Sequence, residues 1–415
     1  MAKLHAFKGF RPGKENVSEV ASRPYDVLNS KEARDEVSGN QWSFLHVVKP
    51  EVDLPEDTDL HSDEVYNKGK ENLEKLIDEG YFKQEQTELL YVYGQTMFGK
   101  RQYGIVGCAA VDDYLNDVIK KHELTRPDKE EDRMNHIRVT NFNAEPVFFA
   151  YPDHPELDSI VADVVSGEAE YDFTTEDGVG HHFWLVTGSK DIKRIIEIFD
   201  REIQYTYVAD GHHRTAAAAL VGQERKRQSP AHRGDEEYNY FLAVHFPASQ
   251  LTIIDYNRVV KDLNGMSPEE FLEELGEGFV VKEMGPEIYK PDELHNFGLY
   301  LEGKWYSLTA RPGTFNDEDP IGCLDVTLLS EQVLGPLLNI TDLRKSRRID
   351  FVGGIRGLEE LTRRVDSGEM AAAFALYPVT MKQLMDIADN GMIMPPKTTW
   401  FEPKLRSGLV IHSLE

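Results

Sequence analysis

Residues 203–219 read IQYTYVADGHHRTAAAA, and they constrain the fold more than any other stretch of the chain. The β-branched and aromatic run up to Ala209 predicts a strand. Asp210-Gly211 stops it, and the alanine run from Ala216 predicts a helix. A strand that turns directly into a helix implies an α/β layering in which the helix packs back on its sheet. Small alanine side chains allow that packing to be close, which would hold the turn rigidly. The first turn of a helix carries unpaired N–H groups and roughly half a positive charge, so the junction suits an anion such as phosphate. Gly211 would give the tight turn and close backbone approach. The N–H groups of His212, His213 and Arg214 would meet the phosphate, and the Arg214 guanidinium adds a planar fork. Asp210 would hold a magnesium ion or act as a base. The plainer alternative is a helix capped by Asp210, with two solvated histidines. A zinc set of Asp210, His212 and His213 is weaker, because adjacent histidines point apart and no HxxxH or HxH occurs.

The 415 residues allow two or three domains. With 40% apolar and 29% charged residues, the chain reads as globular with a sizeable core. Its formal net charge of −27 argues against a broad nucleic-acid surface, which needs clustered Lys and Arg. It still leaves room for a small basic pocket. Two distant cysteines, Cys108 and Cys323, form no CxxC and read as small apolar residues. So few cysteines suit a reducing cytosol. The N-terminus lacks the apolar core of a signal peptide, and no run approaches the ~18 apolar residues of a membrane span. The expectation is a cytoplasmic protein without a membrane partner.

Along the chain, SKEARDEV predicts a short helix with Ser30 as N-cap. The spacing of Val65, Leu73, Leu76 and Ile77 predicts a helix from Asp63 to Gly80. Residues 89–111 predict a hairpin whose two runs flank Phe98-Gly99-Lys100-Arg101, and residues 237–260 two strands with a turn. NGMSPEEFLEEL predicts a capped acidic helix, and FGLYLEGKWYSLTA a hairpin at Glu302-Gly303. The character shifts after Leu263. The division expected is therefore a first region over 1–262 and an α+β region over 263–415.

Four further segments can carry chemistry. In KKHELTRPDKEEDR, Pro127 suits the first helical position and Arg126 precedes it. Glu123 would be a carboxylate base on the preceding loop, with Arg126 and Arg133 as phosphate clamps. The alternative there is a solvated helix laced with ion pairs. Arg23-Pro24-Tyr25-Asp26 is a turn bearing a cation and a carboxylate, structural by default. FVGGIRGLEEL lacks both the P-loop and the GxGxxG pattern, so its glycines read as tight packing. In PPKTTWFEPKLRSGL, Lys397, Thr398, Thr399, Lys404 and Arg406 cluster beside Trp400 and Phe401, either as a ligand-facing loop or as a pinned tail. No GxSxG elbow, HExxH or kinase HRD…DFG set is present.

The ordered set FKGFRPG, ASRPYDV, SFLHVVKPEVDLP, HELTRPDKEEDR, VADGHHRTAAA, DYNRVV, IDFVGGIRGLEEL and MPPKTTWFEPKLRSGL resembles a widespread prokaryotic family of unknown function, over essentially the whole chain. The DGHHR segment is similar to the corresponding box of the ParB/sulfiredoxin superfamily, whose members bind nucleotide phosphates at this strand–turn–helix. The branch acting on free serine carries a similar Asp-Gly-His-His-Arg. His212 stands where sulfiredoxin has its catalytic cysteine, so repair of oxidised peroxiredoxin is not implied. The DNA-segregation role of ParB needs a helix-turn-helix and a basic surface, and neither is found. The resemblance implies an α/β (α+β) enzyme with a ParB/sulfiredoxin-like core, large insertions and a C-terminal α+β region. It implies phosphoryl transfer from ATP or ADP, with Mg2+, to a small hydroxyl substrate such as L-serine. A nucleotide or phosphoester hydrolase and a nucleotide-sensing regulator are the alternatives. The site residues are then Glu123, Asp210 and His213 for catalysis, and Gly211, His212, His213, Arg214, Thr215, Arg126 and Arg133 for the nucleotide. Asp210 is the metal partner.

Overall fold

A computed structural model describes residues 1–415, which form two compact units. The first comprises Met1–Leu251 together with Pro403–Glu415, and the second Thr252–Glu402. The protein is a mixed α/β structure with thirteen α-helices and several sheets. No helix is long and apolar enough to cross a membrane.

The first unit is built on a nine-stranded mixed sheet. Its spatial order is Ile119–Lys120, Thr206–Asp210, Val147–Tyr151, Tyr240–Pro247, Lys100–Ala110, Leu90–Met97, Gly180–Val186 and Tyr171–Thr174, with Leu4–His5 also paired to Lys100–Ala110. Thr206–Asp210 runs parallel to Ile119–Lys120 and antiparallel to Val147–Tyr151. Two helix pairs cover the sheet through separate apolar clusters. Pro155–Val165 and Ser189–Glu202 contribute Leu157, Val161, Ile195 and Phe199 to one. Pro127–Thr140 and His212–Gln228 contribute Ile137, Ala217, Ala219 and Val221 to the other, against Val147, Phe149 and Val208 of the strands. Ala216, Ala217 and Ala219 are at most 1% exposed. The alanine run thus does what its small side chains allow and brings helix and sheet into close contact.

The second unit is a six-stranded antiparallel sheet in the order Phe279–Gly285, Lys304–Ala310, Asn296–Leu301, Ala372–Leu376, Tyr256–Val260, Ile349–Gly353. Trp305 is fully buried in it.

Local signals translate directly into structure. The hairpin turns at Phe98-Gly99 and Glu302-Gly303 have positive φ at both residues, as two-residue turns between twisted strands require. The helix predicted from Asp63 spans Asp63–Asp78. The helix Pro268–Gly278 carries a capping box from Ser267 and Glu270. One cap differs: Ser30 is the first helical residue, and Asn29 is the N-cap in a reciprocal box with Glu32. Asn is an equally good cap, and the Glu sits three residues after it rather than after Ser30. The two strands of 237–260 belong to different sheets, so the second unit begins at Thr252 rather than near 262. The residues after Glu402 return to the first unit, where Ile411 exchanges backbone hydrogen bonds with Phe10 (3.0 and 2.8 Å) and His412–Ser413 pairs with Phe142–Asn143.

Candidate functional site

The strand Thr206–Asp210 shifts register against its neighbour between Val208 and Asp210, a bulge that re-aims the strand end. Gly211 follows at φ +88° as the N-cap of the helix His212–Gln228. A Cβ here would meet the Arg214 guanidinium at 3.1–3.2 Å, so both the torsion and the space call for glycine. Helical bonding begins with the Thr215 N–H donating to the Gly211 carbonyl at 2.9 Å. The N–H groups of His212, His213 and Arg214 precede that ladder, and no side chain caps them. The capped-helix alternative required Asp210 to do this. Its Oδ2 instead lies 3.4 Å from Lys404 Nζ and 3.4 Å from Arg214 Nη2. Burial alone would raise the Asp210 pKa, but Lys404 and Arg214 outweigh it and hold the carboxyl below its ordinary range.

The parallel strand Ile119–Lys120 leads into residues 121–126 and then into the helix Pro127–Thr140, which has Pro127 at its first position as expected. Adjacent parallel strands therefore deliver two loop-to-helix junctions to the same sheet end, where α/β folds place ligands. The two are joined: the Arg126 N–H donates to His213 Nε2 at 3.1 Å. This assigns the His213 proton to Nδ1, and burial holds its pKa below the ordinary value. Glu123 Oε2 lies 3.9 Å from His212 Nδ1. The His122 and His212 rings meet edge to face at 4.4 Å. Burial pushes His122 down to about 4, and burial and the neighbouring His122 push His212 well below its usual value. Both are neutral at pH 7. His212 Nε2 is buried without a hydrogen-bond partner.

The three arginines are placed differently from one another. Arg214 is 7% exposed; its Nη1 donates to the Pro146 carbonyl at 2.9 Å, and its Nη2 is 3.7 Å from Asp26 Oδ2. The fork expected to reach phosphate oxygens lies under the turn, and its charge orients Asp26 and Asp210. Burial opposes that charge, but Asp26, Glu145 and Asp210 more than compensate. Arg133 also points inward, bonded to Asp132 at 2.8 Å and lying over the Tyr25 ring at 4.0 Å. Arg126 is exposed and paired with Asp128 at 2.7 Å, so its backbone rather than its side chain reaches the turn. Thr215 is fully buried, and its hydroxyl donates to the Gly211 carbonyl at 2.9 Å.

Two contributors lay outside the expected site. The Arg23-Asp26 turn carries a site carboxylate: Asp26 shares Arg214 with Asp210. Glu145 accepts from the Tyr25 N–H at 3.0 Å and the Ser407 hydroxyl at 3.1 Å, tying this turn to the closing segment. A charged turn was visible in the sequence at Asp26, but nothing in the sequence marked Glu145, which lies just before the strand Val147–Tyr151. The closing segment is divided. Trp400 packs on Gly353 in the second unit, whereas Lys404 and Arg406 belong to the first. Gly353 and Gly354 are packing glycines, abutting Trp400 and Asp255. No group of three or more His, Cys, Asp or Glu residues gathers as a metal cage, which leaves the zinc reading without support.

The chain belongs to the family described as "Protein of unknown function (DUF1015)", matched over residues 4–327. No curated protein matches it. Among solved structures, it is similar to a free serine kinase in complex with AMP, at 15% identity and TM-score 0.34, covering 74% of this chain and 92% of that one. A conserved hypothetical protein from Pyrococcus furiosus matches at 16% identity and TM-score 0.34, covering 74% and 95%. A C-terminally truncated SbnI from Staphylococcus aureus matches at 12% identity and TM-score 0.39, covering 74% and 87%. These likenesses are loose, and the chemistry has to follow from this chain's own side chains.

Proposed function

For this member of the DUF1015 family we propose a nucleotide-dependent phosphotransferase with a ParB/sulfiredoxin-like core. It acts on a small hydroxyl compound, with free L-serine the acceptor implied by the DGHHR motif. The observation that carries the reading is the buried helix start after Gly211, which has three successive N–H groups and no side-chain cap. Such an end calls for an anionic ligand. The phosphates of ATP or ADP would lie against His212, His213 and Arg214, with the buried Arg214 charge beneath them. Asp210, held ionised by its cations, would bind Mg2+, which would offset the charge of the phosphate oxygens when bound. The acceptor oxygen forms a bond to the transferred phosphorus as the phosphoanhydride bond breaks. The nucleotide leaves with that electron pair, and Glu123 takes the hydroxyl proton. His213 fastens the turn to the loop that carries Glu123.

Incubation with ATP or ADP, Mg2+ and L-serine is expected to yield phosphoserine. Nucleotide loss without phosphoserine would replace this reading with hydrolysis, and binding without turnover with a sensor. Gly211→Ala is expected to cost about 1–3 kcal/mol of stability through forced left-handed torsion and to weaken ADP binding at least ~10-fold by shifting the donors. Undiminished ADP binding by a folded G211A protein would show that the nucleotide sits elsewhere.

A further inference from the structure

Lys404 belongs to a segment that the family match, ending at residue 327, does not reach. Its backbone is clamped on both sides by buried groups. The Lys404 carbonyl accepts from Gln95 Nε2 at 2.8 Å, and Gln95, itself fully buried, accepts from Gln102 Nε2 at 3.1 Å. Two residues on, the Arg406 N–H donates to the Tyr93 hydroxyl at 3.3 Å, and its guanidinium bonds Asp177 and His181. Ser407 then exchanges backbone hydrogen bonds with Ser22 at 3.1 and 3.0 Å. Buried amides and hydroxyls are expensive unless bonded, and here they are spent on placing a stretch of irregular backbone. The product of that placement is an ammonium group 3.4 Å from the carboxylate that precedes the bare helix start.

The other cations around the turn are committed elsewhere. Arg214 is under it, Arg133 faces inward, and Arg126 is on the surface with Asp128. Lys404 is different: its side chain is 18% exposed, and its three donors sit on a flexible stem that can turn from one acceptor to another. Asp26 and Asp210 share the single Arg214 charge, and Lys404 is the second cation on Asp210, on the side of the turn that is open to a ligand's negative charge.

We infer that Lys404 is a phosphate-contacting residue of this site, positioned by the Gln95–Tyr93–Arg406 network and swinging from Asp210 to a phosphate oxygen when the ligand binds. This rests on the phosphotransferase reading only in taking the ligand to be a nucleotide. The test is calorimetric titration of the full-length protein with ADP at several salt concentrations, for wild type, Lys404→Met and Lys404→Arg. The expected result is roughly 10- to 100-fold weaker binding for K404M, a shallower salt dependence, and recovery of most of the affinity in K404R. A residue that merely props the fold would leave the salt slope unchanged. Equal affinity and slope in wild type and K404M would overturn the role of Lys404 while leaving the phosphotransferase reading intact. No ADP binding by wild type would overturn that reading, and this inference with it. If K404M does not fold, K404Q carries the same comparison.

Discussion

His245 stands mid-strand in Tyr240–Pro247, 1% exposed, with neither ring nitrogen hydrogen-bonded and with Phe149 and Phe199 ring centroids at 5.4 and 5.3 Å. Burial pushes its pKa down to about 3. The unfolded chain binds the proton from pH 6.5 downward and the folded chain does not. The stability it supports is therefore complete above pH 6.5 and is lost as pH falls toward 3. Buried His122 and His136, pushed down to about 4, act in the same sense. His245→Leu should then be nearly neutral at pH 8 and retain about 2 kcal/mol more stability than wild type at pH 5. Urea midpoints measured across this range should diverge below pH 6.5; parallel curves would show that His245 is not kept neutral by the fold.

At the level of the element, the helix His212–Gln228 sets the position of its own first turn. Ala217 is fully buried against the sheet. Ala217→Leu would push the helix outward, with an expected cost of about 1–3 kcal/mol from overpacking. ADP binding should weaken although residue 217 touches no ligand. Thermal denaturation alongside ADP titration checks this, and destabilisation with unchanged affinity would show that the turn is held by something other than helix packing. The elements themselves were legible in the sequence because their signals are local: a DG stop, an alanine run, a Pro at the first helical position, two-residue turns. The inward aim of Arg214 and Arg133 was not legible. It depends on Pro146, Asp26 and Asp132 arriving from other elements, and an arginine beside a glycine turn reads the same whichever way it points. Asp210 was ambiguous for a related reason. Directly before a helix it looks like a cap, but Gly211 takes that position and two cations take the carboxylate.

For the whole molecule, the second unit is an insertion with adjoining ends. The Glu402 N–H donates to the Thr252 carbonyl at 3.4 Å, and Ile253 bridges to Phe401. Composition marks a change near Leu263, but the true seam is a pairing between residues far apart in sequence, which no local pattern carries. Units with neighbouring termini can be removed without stretching the host. Replacing residues 252–402 with a short Gly-Ser linker should leave the first unit folded, with its ADP affinity unchanged. Circular dichroism and calorimetry would test this; a folded first unit that no longer binds ADP would place part of the site in the second unit. The bare helix start also has a place in time. Its strand, turn and helix are neighbours in sequence and can form early, whereas Asp26 and Lys404 reach it only by closing long loops, which is slow. An intermediate with the helix already in place would still lack the full complement of charges, so capture of nucleotide would mark the end of folding rather than its beginning.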